Sequence, residues 1–546
     1  MTERPISRAE GLTVLALCAA ASLTAIAWGW QHGALLNYGD AVAHLHIARR
    51  VLDSHRPGLT QLGSVWLPLP HLLLIPFVQI YAWWANGLAG TIPSALAYLA
   101  CCAGIYRLAR RWLERIPSAL ALAFFALNPN LLYLQSTAMT EPLYVCEMIW
   151  VAVWLVEWRA SLDSKLPGSE AAPKTAARSN RLLWLIAIAL VAAVLTRYDG
   201  WVMALLAWVA IGVMLARRGG MRSRAFWLAS ALVVAAPVAW CVYNATVFGD
   251  WLDFLRGPYS AKAIEMRTAA PGWPPHPGWH NPWVGLLFYM KDAEMDAAVW
   301  GNALLALSLL GTAWAWLTAR RRALAGALLL GLPVPFYAYS VAYGSVPIFI
   351  PPWWPHSWYN TRYGLELLPA FALGLGFAAQ FVLAAVREFK PVWTRYAAAV
   401  LFALIALNAW GIVCKGPLVY VEGTKNIAAR RSYEEAIPAA LRTLLASRPG
   451  GVILMDTSVY PEIVALTGIP LRQTINESDK EFYRDALAAP AAHAALVLAF
   501  DGDEVDAAVK AHPQGLTAVR RFTAPWQTPG TLYVSDSRPS TIRPVR

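Results

Sequence analysis

The sequence predicts a polytopic α-helical membrane protein of about eleven spans, followed by a small extracytoplasmic α/β domain. Three observations carry that prediction. Of 546 residues, 58% are hydrophobic and only 14% charged, and mean hydropathy is +0.44, outside the range of an ordinary soluble chain. Apolar runs repeatedly reach the roughly 17–25 residues that a spanning helix needs, and short basic clusters punctuate them. After Cys414 the composition changes to short apolar runs separated by helical patterns.

Gly11 to Trp30 forms the first run. It is long for a signal-peptide core, and Leu17 before Cys18 spoils a lipoprotein cleavage site, so it reads as an uncleaved span. The stretch Asn37 to His71 follows. From Asp40 to Ser54 the apolar positions Val42, Leu45, Ala48 and Leu52 recur three or four apart, which predicts an amphipathic helix at a membrane surface. Its polar side carries Asp40, His44, Arg49 and Arg50, with Asp40 and His44 one turn apart.

Basic clusters then set the topology. Arg107 to Arg115, the Ala/Pro/Ser/Lys linker (165–180) within Arg159 to Arg181, Arg217 to Arg224, Arg320 to Arg322 and Arg387 to Arg395 are expected in the cytoplasm. Between them fall spans near 91–108, 117–135, 141–158, 182–197, 199–216, 225–247, 298–317, 324–343, 363–386 and 395–413. The charge pattern is consistent only when residues 67–88 do not cross, and Pro68, Pro70 and Pro76 weaken that segment as a straight helix. The expectation is a membrane domain over 1–413, N-terminus in the cytoplasm, with outer-face loops 31–90, 248–297 and 345–363.

Residues 414–546 make the expected extracytoplasmic domain. Gly450 to Asp456, Ala494 to Phe500 and Thr531 to Asp536 read as buried strands, and Ser478 to Glu481 as the capping box of a helix. This part has neither GxGxxG nor a P-loop, so no cofactor is assigned to it.

The formal net charge of +12 does not indicate nucleic acid. Residues 415–546 hold 15 Lys and Arg against 14 Asp and Glu, so nearly all the excess sits in the short clusters of the membrane part. The six cysteines lie in or at the edge of apolar runs without metal or disulfide spacing. Chemistry is therefore expected on the outer side, where the other polar features gather.

Asp40 suits a general base or metal ligand at the membrane mouth, and it also suits a helix N-cap. Glu141, opening a span, fits both a cap and a functional carboxylate. Six residues deeper, Glu147 lies in an apolar helix and calls for a cationic partner. Arg197 and Arg362 sit in outward loops; a phosphate matches their planar fork, and snorkelling to lipid headgroups is the alternative. His44 is the histidine best placed for phosphate or metal, while His46, His71, His276, His280 and His356 read as loop histidines; no HExxH zinc motif occurs.

Residues 36–413 resemble the glycosyltransferase C superfamily of membrane enzymes, in particular the group of protein O-mannosyltransferases and bacterial aminoarabinose transferases. The resemblance rests on Tyr38-Gly39-Asp40-Ala41 after the first span, Trp66 to Leu72 with its proline pair, and Pro93 to Ala97 followed by Arg107 to Arg111. Thr140-Glu141-Pro142 and Arg362-Tyr363 with Leu368-Pro369 complete it.

Such families move a sugar from a polyprenyl-phosphate donor on the outer face. The resemblance implies that Asp40 is the catalytic carboxylate and Glu141 a second acidic group. It gives the donor phosphate to Arg362; independently of the resemblance, the charge growing on a departing phosphate suits Arg197 or His44 as further phosphate contacts, and Trp66, His71 and Tyr359 are expected in the substrate loop. The acceptor is a lipid, glycan or protein, the transfer inverting, and a divalent metal at Asp40 and Glu141 stays open. Two departures stand out. Aminoarabinose-type enzymes carry a Lys beside the proline pair, where this chain has Leu67 and Leu69. The Trp-Trp-Asp signature of oligosaccharyltransferases is missing, since Trp353 and Trp354 precede Pro355. The competing class is a lipid-linked sugar transporter or glycan-assembly binding protein, but transporters place ionisable groups at mid-membrane, whereas these cluster at one face.

Overall fold

The computed structural model describes residues 6–163, 172–268, 274–318 and 325–536. Packing divides the chain into two compact units, neither of them continuous in sequence. One comprises Met1–Gln31, Ser64–Pro70 and Pro93–Glu422; the other comprises His32–Gly63, His71–Ile92 and Gly423–Arg546.

The first unit is helical. Among the described residues of the chain, nine helices are long and apolar enough to cross a membrane. Two of the eleven expected spans are not among them. The run 117–135 breaks at Asn128 into helices Arg115–Ala126 and Pro129–Leu134. The cause is local: the Asn128 side chain accepts from the Asn130 and Leu131 amides at 2.9 and 3.2 Å, and Pro129 occupies the first helical position, where its missing N–H costs nothing. The run 141–158 does form a helix, Glu141–Asp163, of sufficient length, but it carries Glu141, Glu147 and Glu157. Glu157 is matched by a two-pronged bond from Arg107, at 2.7 and 2.8 Å.

Segment 67–88 forms Pro68–Val78 and Tyr81–Asn86, both too short to span. Of the linker, residues 164–171 lie outside the described residues, as do Arg320 to Arg322. From Ala172 onward the linker is already the start of helix Ala172–Thr196, so its second half is helical rather than flexible.

Helices Gly301–Thr318 and Leu368–Phe389 pack along each other. A Cβ on Gly311 would collide with the Gly374 carbonyl oxygen, and one on Gly374 with Ser308 Oγ. Two glycines thus let the backbones touch, in the way small residues pack membrane helices. At one end of this unit Glu10 takes Arg115 at 2.8 Å and Arg110 at 3.3 Å, while Arg387 meets Glu114 at 2.8 Å.

The second unit contains a five-stranded sheet: β1 Ile453–Met455, β2 Thr474–Ile475, β3 Leu496–Phe500, β4 Leu516–Phe522 and β5 Gly530–Ser535. The order is β2-β1-β3-β5-β4, with β1 parallel to β2 and β3, and β5 antiparallel to β3 and β4. Leu454, Val497, Val505 and Val509 form its core with Ile475 and Tyr483; each fully buried aliphatic side chain contributes about 1.5–3 kcal/mol. Two strands were not evident from sequence. β2 has only two residues, and β4 is an exposed edge carrying Arg520 and Arg521. The capping box also sits earlier than expected. Asn476 accepts from Ser478 N at 3.0 Å and Asp479 accepts from Asn476 N at 3.1 Å, so the pair opens the turn Glu477–Asp479. Helix Glu481–Ala488 starts after it.

The opening stretch belongs to this second unit. Helix Gly39–Arg50 buries Ala41, Val42, His44, Leu45, His46, Ile47 and Ala48. It is therefore an internal element, not an amphipathic helix with an open polar face. Arg50 Nη1 donates to Ser478 Oγ at 2.5 Å, His55 Nε2 lies 2.8 Å from the Thr474 carbonyl, and the Leu471 amide donates to Asp53 at 3.3 Å. Tyr81 donates to the Ala465 and Ile469 carbonyls at 3.2 and 3.3 Å.

Candidate active site

Each unit gathers ionisable residues of its own. In the first, the short 3-10 helix Thr361–Leu367 begins after Asn360, which has φ 59°. Its free amides need acceptors, and Glu422 supplies them. Asn360 N and Thr361 N each donate to its carboxylate at 2.9 Å, and Thr361 Oγ1 at 2.6 Å. This capping fixes Arg362, whose Nη1 lies 3.3 Å from Glu422 Oε1 and whose Nε donates to Glu141 Oε1 at 2.9 Å.

Glu141 Oε1 also accepts from Arg197 Nη1 at 3.1 Å. Arg197 reaches Asp199 through Nε at 3.2 Å, and its Nη2 donates to the Tyr337 oxygen at 2.8 Å. Tyr337 in turn donates to Glu366 Oε1 at 2.7 Å, and Glu366 lies 3.3 Å from Arg197. Stacked rings of Tyr289, Tyr337 and Tyr363 run through the cluster, with Arg197 5.0 Å and Arg362 4.9 Å from the Tyr363 centroid.

Two guanidiniums thus meet four carboxylates. Both arginines are satisfied by protein groups, so snorkelling does not describe them. Glu141 Oε2 and Glu366 Oε2 are buried without a hydrogen-bond partner among the described residues. Glu147 accepts from the Thr196 hydroxyl at 2.8 Å and has no cationic partner among them.

In the second unit, Asp40 lies half-buried in the first turn of helix Gly39–Arg50. The residue before that helix is Tyr38, so Asp40 is inside the helix and not its cap. His44 and His71 are both buried, and His44 Nδ1 lies 2.9 Å from His71 Nε2. Such a bond needs one donor and one acceptor, so at least one ring is neutral. Neither is a loop histidine. His46 is buried too, and burial, with the charge of Arg50 adding to it, pushes it down to about 3.

The structure therefore brings together Glu141, Arg197 and Arg362 in one unit and, in the other, His44 of the Asp40 helix with His71 of helix Pro68–Val78. Trp66 and Tyr359 are exposed in the first unit, Tyr359 bonded through its backbone to Phe349 at 3.0 and 3.1 Å. Among the described residues no group of three or more His, Cys, Asp or Glu is placed to hold a metal ion. Glu141 faces two cations already, a donor set ill-suited to a metal.

Reading the sequence did not single out Asp199, Tyr337, Glu366 or Glu422. Three of these are acids within or beside apolar runs, where a carboxylate is costly and marks a partner. That signal was available; their arginine partners were not identifiable from spacing.

No protein family profile and no curated protein matches the sequence. Solved structures do. ArnT from Cupriavidus metallidurans bound to undecaprenyl phosphate matches with a TM-score of 0.52 at 15% identity, covering 96% of this chain and 98% of that one. The same protein in the apo state gives 0.51 at 15% identity, over 98% and 100%. The apo oligosaccharyltransferase of Archaeoglobus fulgidus gives 0.49 at 11% identity, over 97% and 75%. The likeness to ArnT establishes the fold: this chain shares the fold of ArnT along nearly its whole length.

Proposed function

We propose that this protein is a membrane glycosyltransferase that moves a sugar from a polyprenyl-phosphate donor to a lipid, glycan or protein acceptor on the outer face of the membrane. The observation that carries this reading is the fold match over 96% of the chain to an ArnT structure bound to undecaprenyl phosphate. Beside it stands the placement of Asp40 in the first turn of the helix following the first span.

In the proposed reaction Asp40 accepts the proton of the acceptor hydroxyl. The acceptor oxygen forms its bond to the anomeric carbon as the bond from that carbon to the phosphate oxygen breaks. The products are an inverted glycoside and polyprenyl phosphate. Since the departing phosphate gains charge in the transition state, cations that bind it there accelerate the step. Arg362, Arg197 and His44 are the candidates, and for both arginines a phosphate would compete with Glu141. Trp66, His71 and Tyr359 remain candidate substrate contacts.

The test is sugar transfer by purified protein in nanodiscs, with a panel of polyprenyl-phosphate sugars and of lipid, glycan and peptide acceptors. Asp40→Asn is expected to lower turnover by about 10²–10⁴-fold while the protein stays folded. Unchanged turnover would move the base elsewhere, with Glu141 next. Tight donor binding without turnover in the wild type would leave a transporter or binding protein.

A further inference from the structure

Tyr38-Gly39-Asp40-Ala41 contains a glycine for which the function of Asp40 gives no reason. Gly39 opens helix Gly39–Arg50 and has no left-handed backbone, so conformation does not require glycine there. Space does. A Cβ at Gly39 would lie 2.6 Å from Nη1 of Arg430, a contact that real Cβ atoms do not make. Arg430 comes from helix Leu418–Ala446, nearly 400 residues downstream, and both residues belong to the second unit.

The guanidinium is held from behind. Its Nε donates to Glu434 Oε1 at 3.1 Å, one turn along the same helix, and lies 3.7 Å from Glu462 Oε1. Glu462 is buried in helix Glu462–Thr467. Arg430 itself keeps only 11% of its side chain exposed, and Nη2 is buried without a hydrogen-bond partner among the described residues. Glu434 therefore holds the stem side of the fork by a hydrogen bond, with Glu462 packed beside it, and the remaining face is pressed against the backbone of the residue preceding Asp40. The side chain of Tyr38, at the cap position, makes no capping bond to this helix.

We propose that Arg430 is a positioning residue for the reaction at Asp40: held by Glu434 and seated on Gly39, it fixes the first turn of the helix that carries the catalytic carboxylate. The inference rests on the reading of Asp40 given above. It supplies a reason for the glycine, and it gives the C-terminal part of the chain a share in the chemistry. A carboxylate that must meet one hydroxyl proton is sensitive to small displacements, and misplacement by about 1 Å costs on the order of 100-fold in rate.

The experiment uses full-length protein in nanodiscs with Gly39→Ala, Arg430→Ala, Arg430→Lys and the Gly39→Ala/Arg430→Ala pair. Three quantities are read: kcat and KM for an undecaprenyl-phosphate sugar that the wild type turns over, melting temperature, and amide exchange at residues 39–42. Gly39→Ala and Arg430→Ala are each expected to lower kcat by about 10–100-fold with KM within about twofold, since only the reacting geometry changes. The pair is expected to be no worse than the worse single variant, because both break one contact. Exchange of the first-turn amides should rise about tenfold in each, as local opening becomes easier. Arg430→Lys, which keeps the charge without the planar fork, should recover part of kcat and covers the case in which Arg430→Ala does not fold.

Unchanged exchange at 39–42, or additive losses in the pair, would overturn the role of Arg430 and leave the transferase standing. Faster exchange combined with turnover indifferent to Asp40→Asn would instead remove Asp40 as the base, and with it this role for Arg430. The exchange measurement needs no substrate, so an inactive wild type still tests the contact.

Discussion

Glu141 and Arg362, 221 residues apart in sequence, are joined by a 2.9 Å hydrogen bond from Arg362 Nε to Glu141 Oε1, and both side chains are at most 6% exposed. The same oxygen serves Arg197. One carboxylate therefore serves two buried cations, and deleting it removes a partner from each, leaving Arg362 with Glu422 and Arg197 with Asp199 and Glu366. Removing one partner of a buried pair costs about 3–5 kcal/mol. Glu141→Ala is expected to show that loss as a lowered denaturation midpoint in detergent, with Glu141→Gln in between because its amide oxygen still accepts. A Glu141→Ala protein that melts like the wild type would show that the cluster does not depend on this bond.

Asn128 divides what looks in sequence like one span. Its side chain caps helix Pro129–Leu134, and its Nδ2 donates to the Asp296 carbonyl at 2.9 Å. Loss of a cap costs about 1 kcal/mol, while the Asp296 carbonyl keeps its second donor, Asn130 Nδ2 at 3.1 Å. Asn128→Ala should therefore accelerate amide exchange across residues 130–134 while leaving helix Arg115–Ala126 protected. Protection unchanged in both would mean that packing alone holds the break.

These particulars show what the sequence makes legible. The spans and the C-terminal sheet follow from periodicity and burial, which are local signals, and most were identifiable from them. The break at Asn128 was equally local, but the length of the apolar run masked it. Arg197, Arg362 and Glu141 could be named as unusual charges, yet their common contact depends on tertiary packing that no spacing encodes. His71 read as a loop histidine because its partner, His44, lies 27 residues away. In the sequence Gly39 stands out only as the neighbour of Asp40, and the approach of Arg430 explains the glycine itself.

The second unit carries a pH dependence. Burial pushes Glu462 up to about 7 against the pull of Arg430, from an unfolded value near 4.5. Between these two values the unfolded chain has lost the proton and the folded one retains it. The stability that the neutral carboxyl contributes is therefore complete below about 4.5 and is lost as pH rises through about 7, a change of about 3 kcal/mol. Amide exchange in β1 and β3 should accordingly become faster between pH 5 and pH 8 beyond its intrinsic dependence. Glu462→Gln, which cannot ionise, should flatten that slope. An unchanged slope in Glu462→Gln would show that this carboxyl is not its source.

The bond between His44 and His71 offers a test of whether this buried pair acts as one unit. His44 is 3% exposed and His71 fully buried, so water does not replace a missing partner at either ring. Each single change to Ala should cost about 1–3 kcal/mol, the penalty of leaving a buried polar group unmatched, in addition to lost packing. When both rings are removed that penalty disappears, and the double variant should cost less than the two single changes added together, by about 1 kcal/mol. Denaturation of the four proteins of this cycle supplies the number. Additive losses would mean that the 2.9 Å approach contributes no coupling. If coupling is present, a rise in donor KM on His44→Ala should be matched by a similar rise on His71→Ala, because the second ring sets the orientation of the first.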